Sequence, residues 1–117
     1  MKSHKDLFVY QKSLDFVVEI YQLTNDFPES EKYGLISQLR RAAISVPSNI
    51  SEGAGRKSKK EFIQFLYIAL GSLNEIETQI EISKRLAYIQ EIDEINNELI
   101  HIKRMLLKLI ENLKNRN

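Results

Sequence analysis

The apolar residues Leu35, Leu39, Ala42, Ala43, Val46, Ile50 and Ala54 recur at intervals of three and four across a stretch that contains Pro47. That spacing paints one helix face. A proline inside a helix removes a backbone hydrogen bond and crowds the preceding turn, which costs about 3 kcal/mol. A chain that keeps the pattern on both sides of Pro47 needs packing to offset that cost, or a use for the bend. The reading is one helix kinked at Pro47. Its other side carries Arg40, Arg41, Ser45, Ser48, Asn49 and Glu52. Gly53 and Gly55 then suit a helix C-terminus.

The rest of the chain reads as three more helices. Helix 1 is expected from about Asp6 to Asp26, ended by Phe27-Pro28. It has two apolar stripes. Leu7, Tyr10, Leu14, Val17, Val18 and Tyr21 form one; Val9, Phe16, Ile20, Leu23 and Phe27 form the other. A helix that is apolar on two sides is buried on two sides. The second stripe is therefore expected at an interface between copies, joined by Phe65 and Ile68, with Ile82 pointing the same way. Helix 2 is expected from Ser30, as N-cap, to about Gly53. Ser58 and Glu61 form a capping box that opens helix 3. Its core stripe is Phe62, Leu66, Ala69, Leu70, Leu73, Ile76 and Ile80, extended to Leu86. Helix 4 is expected from about Glu91 to Leu113, with a seam of Ile92, Ile95, Leu99, Ile102, Leu106, Leu109 and Leu113. Four helices with short connections give an all-α, antiparallel up-down-up-down bundle.

At 117 residues the chain is one domain, residues 1–117, long enough to bury a core without staples. It has no cysteine, which excludes disulfides, thiolate metal sites and a cysteine nucleophile. No apolar run reaches membrane-spanning length, and the N-terminus does not read as a signal peptide. A cytoplasmic location is the expectation.

Catalytic groups are sparse. His4 lies near the N-terminus, and Glu98 and His101 form a single Glu-x-x-His pair, where a di-metal bundle needs two. No phosphate-binding glycine loop is present. No enzyme activity, metal or cofactor is expected. Charge is more informative. Net charge is only +1, yet seven of the 17 basic residues lie between Lys32 and Lys60, with Glu52 as the one acid among them. Arg56, Lys57, Lys59 and Lys60 fall at a helix N-terminus, which itself favours anions. With Arg41 and Arg40 they form a candidate nucleic-acid surface, electrostatic and sequence-tolerant. Pro47, Ser48, Asn49, Glu52 and Gly53 read as structural: Asn49 or Ser48 repairs backbone groups freed by Pro47, and Glu52 pairs with a nearby arginine.

Arg40-Arg41-Ala42-Ala43-Ile44-Ser45-Val46-Pro47-Ser48-Asn49-Ile50-Ser51-Glu52-Gly53 resembles the signature of the 23S rRNA intervening-sequence proteins. So do Asp6 to Ser13, Ser58 to Phe62 and Ala69 to Thr78. The one departure is Ala87, where a glycine is common in that loop. The resemblance implies a bacterial four-helix protein that forms a homopentameric ring and has no established enzyme activity. The accessory variability determinants of diversity-generating retroelements are similar in fold, and bind nucleic acid and a reverse transcriptase through a basic surface. Two functions follow as expectations: a ring that binds RNA or DNA, or an oligomeric scaffold for a protein partner.

Overall fold

The computed structural model describes residues 7–115. Asp6, where helix 1 was expected to start, His4, and the C-terminal Arg116 and Asn117 lie outside them. Four α-helices and no strands occur among the described residues. They are α1 (Phe8–Thr24), α2 (Leu35–Ala54), α3 (Lys59–Arg85) and α4 (Asp93–Lys114). α2 and α4 each lie between α1 and α3, so α1 and α3 occupy one diagonal of an antiparallel bundle 49 Å long.

α2 is continuous across Pro47. Pro47, Val46 and Ile50 are all buried, so the ring and its neighbours pack into the bundle. The polar side chains beside it bond locally. Asn49 donates to the Ser45 carbonyl at 2.7 Å. The Ser45 hydroxyl reaches the Ala42 carbonyl at 2.9 Å and meets the Ser72 hydroxyl on α3. Ser48 is exposed.

α2 begins at Leu35, not at Ser30. Pro28 leads into a 3-10 turn, Glu29–Glu31. The cap comes from Glu31, whose Oε1 accepts from the Leu35 N–H at 3.1 Å. Its other oxygen accepts from the Tyr88 hydroxyl at 2.9 Å, joining the start of α2 to the α3–α4 loop. That bond, with burial and the nearby charge, raises the Tyr88 pKa.

The second stripe of α1 lies inside, and the first is split, with Leu7, Tyr10 and Val17 half-buried against the core. Val9, Phe16, Ile20 and Phe27 lie in the protomer core, and Leu23 packs half-buried against it. They cannot form an outer interface. Leu14, Val18 and Tyr21, from the stripe expected inside, are exposed instead. The core stripe includes Ser13 and Thr24, whose hydroxyls are satisfied by the carbonyls of Tyr10 and Ile20 at 2.8 Å. Two further expectations shift. Leu86 is exposed, and the α4 seam passes through buried Ile110, leaving Leu109 half-buried.

The glycines at the end of α2 do not adopt a left-handed conformation; no described glycine has positive φ. Gly53 is buried in the last turn because α3 passes against it. A Cβ there would meet the Phe65 Cβ at 2.7 Å and a Phe62 ring carbon at 2.9 Å. The left-handed position belongs to Ala87, with φ 64°. Tyr88 N–H bonds the Ser83 carbonyl and Ala87 N–H the Lys84 carbonyl, each at 2.9 Å. That is a Schellman cap with alanine where glycine is usual.

Two predictions follow from this geometry. Ala87→Gly relieves the left-handed strain and should stabilise the protein by about 1 kcal/mol. It should appear as a higher urea midpoint with an unchanged slope. Glu19 has a pKa raised above 4.5 by burial, then by Glu98, Glu94 and Asp15, with Lys12 opposing. A carboxyl whose folded pKa is raised opposes folding when ionised, and that opposition fades as pH falls through the raised value. Glu19→Gln should therefore raise Tm at neutral pH, and the gain should vanish in scans below pH 4.5.

Candidate nucleic-acid interface

The six basic residues of the expected surface separate in the fold. Arg40 is half-buried and committed to the end of α1. Its Nε donates to Thr24 Oγ1 at 2.9 Å, and Nη2 to Asn25 Oδ1 at 3.1 Å and the Tyr21 carbonyl at 3.3 Å. The guanidinium also stacks 4.4 Å from the Tyr21 ring centroid. It serves as a clamp between α2 and α1. Arg41 is exposed but lies fifteen positions before Arg56, roughly 22 Å along the helix. It lines a polar groove with Tyr33, Ser37, Gln38, Ser45 and Glu75 instead.

Arg56 pairs with Glu52 at 2.8 Å and lies 4.9 Å from the Phe65 ring centroid. It faces the α2 side of α3. The exposed lysines Lys57, Lys59 and Lys60 remain at the end of the bundle.

The N-terminus of α3 is not an open anion site. Ser58 Oγ accepts from the Glu61 N–H at 3.1 Å, and the Ser58 hydroxyl in turn bonds the Glu61 carboxylate at 3.2 Å. The capping box fills this helix end with its own carboxylate, so positive charge here comes from side chains.

The fold adds a lysine that spacing did not suggest. The C-terminus of α4 runs beside the start of α3. It brings Lys114 to Tyr67, where Nζ donates to the hydroxyl at 3.0 Å and lies 5.4 Å from the ring centroid. Lys59, Lys60, Gln64 and Lys114 rim a groove between the two helices, with Ile63, Tyr67 and Leu113 along it. No carboxylate among the described residues lines it. The signal for Lys114 was topological: an antiparallel bundle sets the end of its fourth helix against the start of its third.

His101 is exposed on α4, and no group of three or more metal-binding side chains occurs among the described residues. No described helix is long and apolar enough to cross a membrane. Exposed apolar side chains occur on all four helices, Ile100 and Leu107 of α4 among them, and two groups lie on opposite sides. Leu14, Val18 and Tyr21 on α1 lie with Ile44 of α2; Ile68 and Ile82 lie on α3, across the diagonal. Phe65 is half-buried beside Ile68.

Comparison with known proteins agrees with this architecture. A solved structure from Bacteroides thetaiotaomicron, a protein of unknown function from the S23 ribosomal protein family, is 32% identical. The match covers 88% of this chain and 95% of that one, with a TM-score of 0.80. No curated protein matches. Residues 5–108 match the 23S rRNA-intervening sequence protein family. The four-helix fold and the match along most of its length make this chain a member of that family.

Proposed function

We propose that the protein is a non-enzymatic, ring-forming bundle of the cytoplasm that binds RNA or DNA without sequence preference. The observation that carries the binding reading is the gathering, at one end of the bundle, of Lys57 from the α2–α3 turn, Lys59 and Lys60 from α3 and Lys114 from α4. Lysines on a rigid frame recognise phosphate as point charges. Each phosphate neutralised contributes about −0.7 to the slope of log K against log salt on a single strand. Kinship with the accessory variability determinants belongs to the same reading.

The ring rests on the two apolar sides. An isologous dimer uses the same patch on both copies, whereas two different patches facing opposite ways suit head-to-tail contacts that close into a ring. Gly71, exposed on α3 between Ile68 and Ile82, supports this. A Cβ there would meet nothing within 4 Å in its own protomer, so a glycine has no local packing reason. Glycine inside a helix costs about 1 kcal/mol, and close approach by a neighbouring backbone is a use for it. Five subunits is the number the family resemblance implies. Arraying the lysine end several times would strengthen weak phosphate contacts through avidity.

Changing Lys57, Lys59, Lys60 and Lys114 to glutamine should weaken binding to unrelated oligonucleotides alike and flatten the salt slope by about 2 to 3. Fluorescence anisotropy at several salt concentrations measures both. Absence of wild-type binding at low salt would leave the protein-scaffold function in its place. For assembly, Val18→Asp should yield folded monomers by light scattering. Phe16→Asp places a charge in the core and should unfold the protomer instead. A wild-type monomer at micromolar concentration refutes the ring.

A further inference from the structure

We infer that the groove between α3 and α4 seats an unpaired nucleobase, so that the protein prefers single-stranded segments to continuous duplex. This deepens the nucleic-acid reading and rests on it. The groove is shallow and open, with about 460 Å³ of space over it. Phosphate alone would need only its lysines. Here the lysines rim an apolar surface made by Ile63, Tyr67 and Leu113. Tyr67 is 47% exposed, so part of its ring is open to a ligand. Lys114 uses one donor on the Tyr67 hydroxyl, and an ammonium has three. Gln64 supplies an amide that can both donate to and accept from a base edge.

That combination is an apolar and aromatic seat, an adjustable amide and flanking cations. It is how single-stranded nucleic acid is held: the base rests on the seat and the adjacent phosphates meet the lysines. Charge selects the occupant, since Lys59, Lys60 and Lys114 line the groove and no acid among the described residues does. An acidic amphipathic helix is the competing occupant. It would need anchor sites repeated at one-turn intervals along a long groove. The apolar seat here is confined to three side chains at the end of the bundle.

The test uses the full chain and four labelled probes. They are a mixed-sequence single-stranded RNA, the same strand with several abasic positions, its fully paired duplex, and an acidic amphipathic peptide. The intact strand should bind about tenfold tighter than the duplex, and the abasic strand should lose that advantage while keeping its salt slope. Ile63→Lys should weaken binding of the intact strand although it adds positive charge. Tyr67→Ala should weaken it about tenfold, with both helicities checked by circular dichroism. If Ile63→Lys lowers helicity, Tyr67→Ala decides. Equal binding of intact and abasic strands, or tighter binding by folded Ile63→Lys, overturns the base seat and leaves binding by charge alone. Tighter binding of the peptide than of the intact strand also overturns it. If neither RNA nor duplex binds at low salt, the nucleic-acid reading fails as a whole.

Discussion

The close approach of α2 and α3 underlies the rest of the structure. Gly53 lets the two helices meet where any side chain would collide with Phe62 and Phe65. Ala42, Ala43 and Ala69 are buried along the same pair of helices. This contact is the most extensive between any two helices of the bundle. It fixes where α2 must stop and α3 must start, and therefore where the turn carrying Arg56 and Lys57 projects. Arg56 then finds Glu52 and the Phe65 ring, while Lys59 and Lys60 line the α3–α4 groove. A local packing constraint thus sorts the charges of the neighbouring surface.

Pro47 illustrates the same dominance of packing over local preference. The helix loses a donor there, yet Val46 and Ile50 beside it are buried, and Ser45 and Asn49 are bonded to their own helix, Ser45 also to α3. Burial of side chains such as Val46 and Ile50 is worth roughly 1.5–3 kcal/mol each, so together they offset what the proline costs.

Helix order, the capping box at Ser58 and most of the α4 seam were legible in the sequence, because each rests on spacing within one segment. The inner face of α1 was not. Both stripes are apolar, and the buried one is interrupted by Ser13 and Thr24, which read as polar although their hydroxyls are satisfied within the helix. The start of α2 was also hidden, because its cap comes from a glutamate side chain folded back from the preceding turn. Of the charged residues, density located Lys57, Lys59 and Lys60, but density cannot reveal partners. Arg40 is occupied by α1, and Lys114 arrives from the far end of the sequence. Pairings between helices depend on topology, which a single segment does not encode.

An even number of antiparallel helices returns the chain to the pole from which it started. The beginning of α1 and the end of α4 therefore lie at the same end as Lys57, Lys59 and Lys60, while the Tyr88 loop caps the opposite pole. In a head-to-tail ring that polarity is shared by every copy. One rim would carry all the lysines with the start of α1 and the end of α4, and the other all the Tyr88 loops. A bulky group on the first turn of α1 or the last turn of α4 would crowd the lysine rim. A label meant to leave that rim clear belongs on the Tyr88 loop.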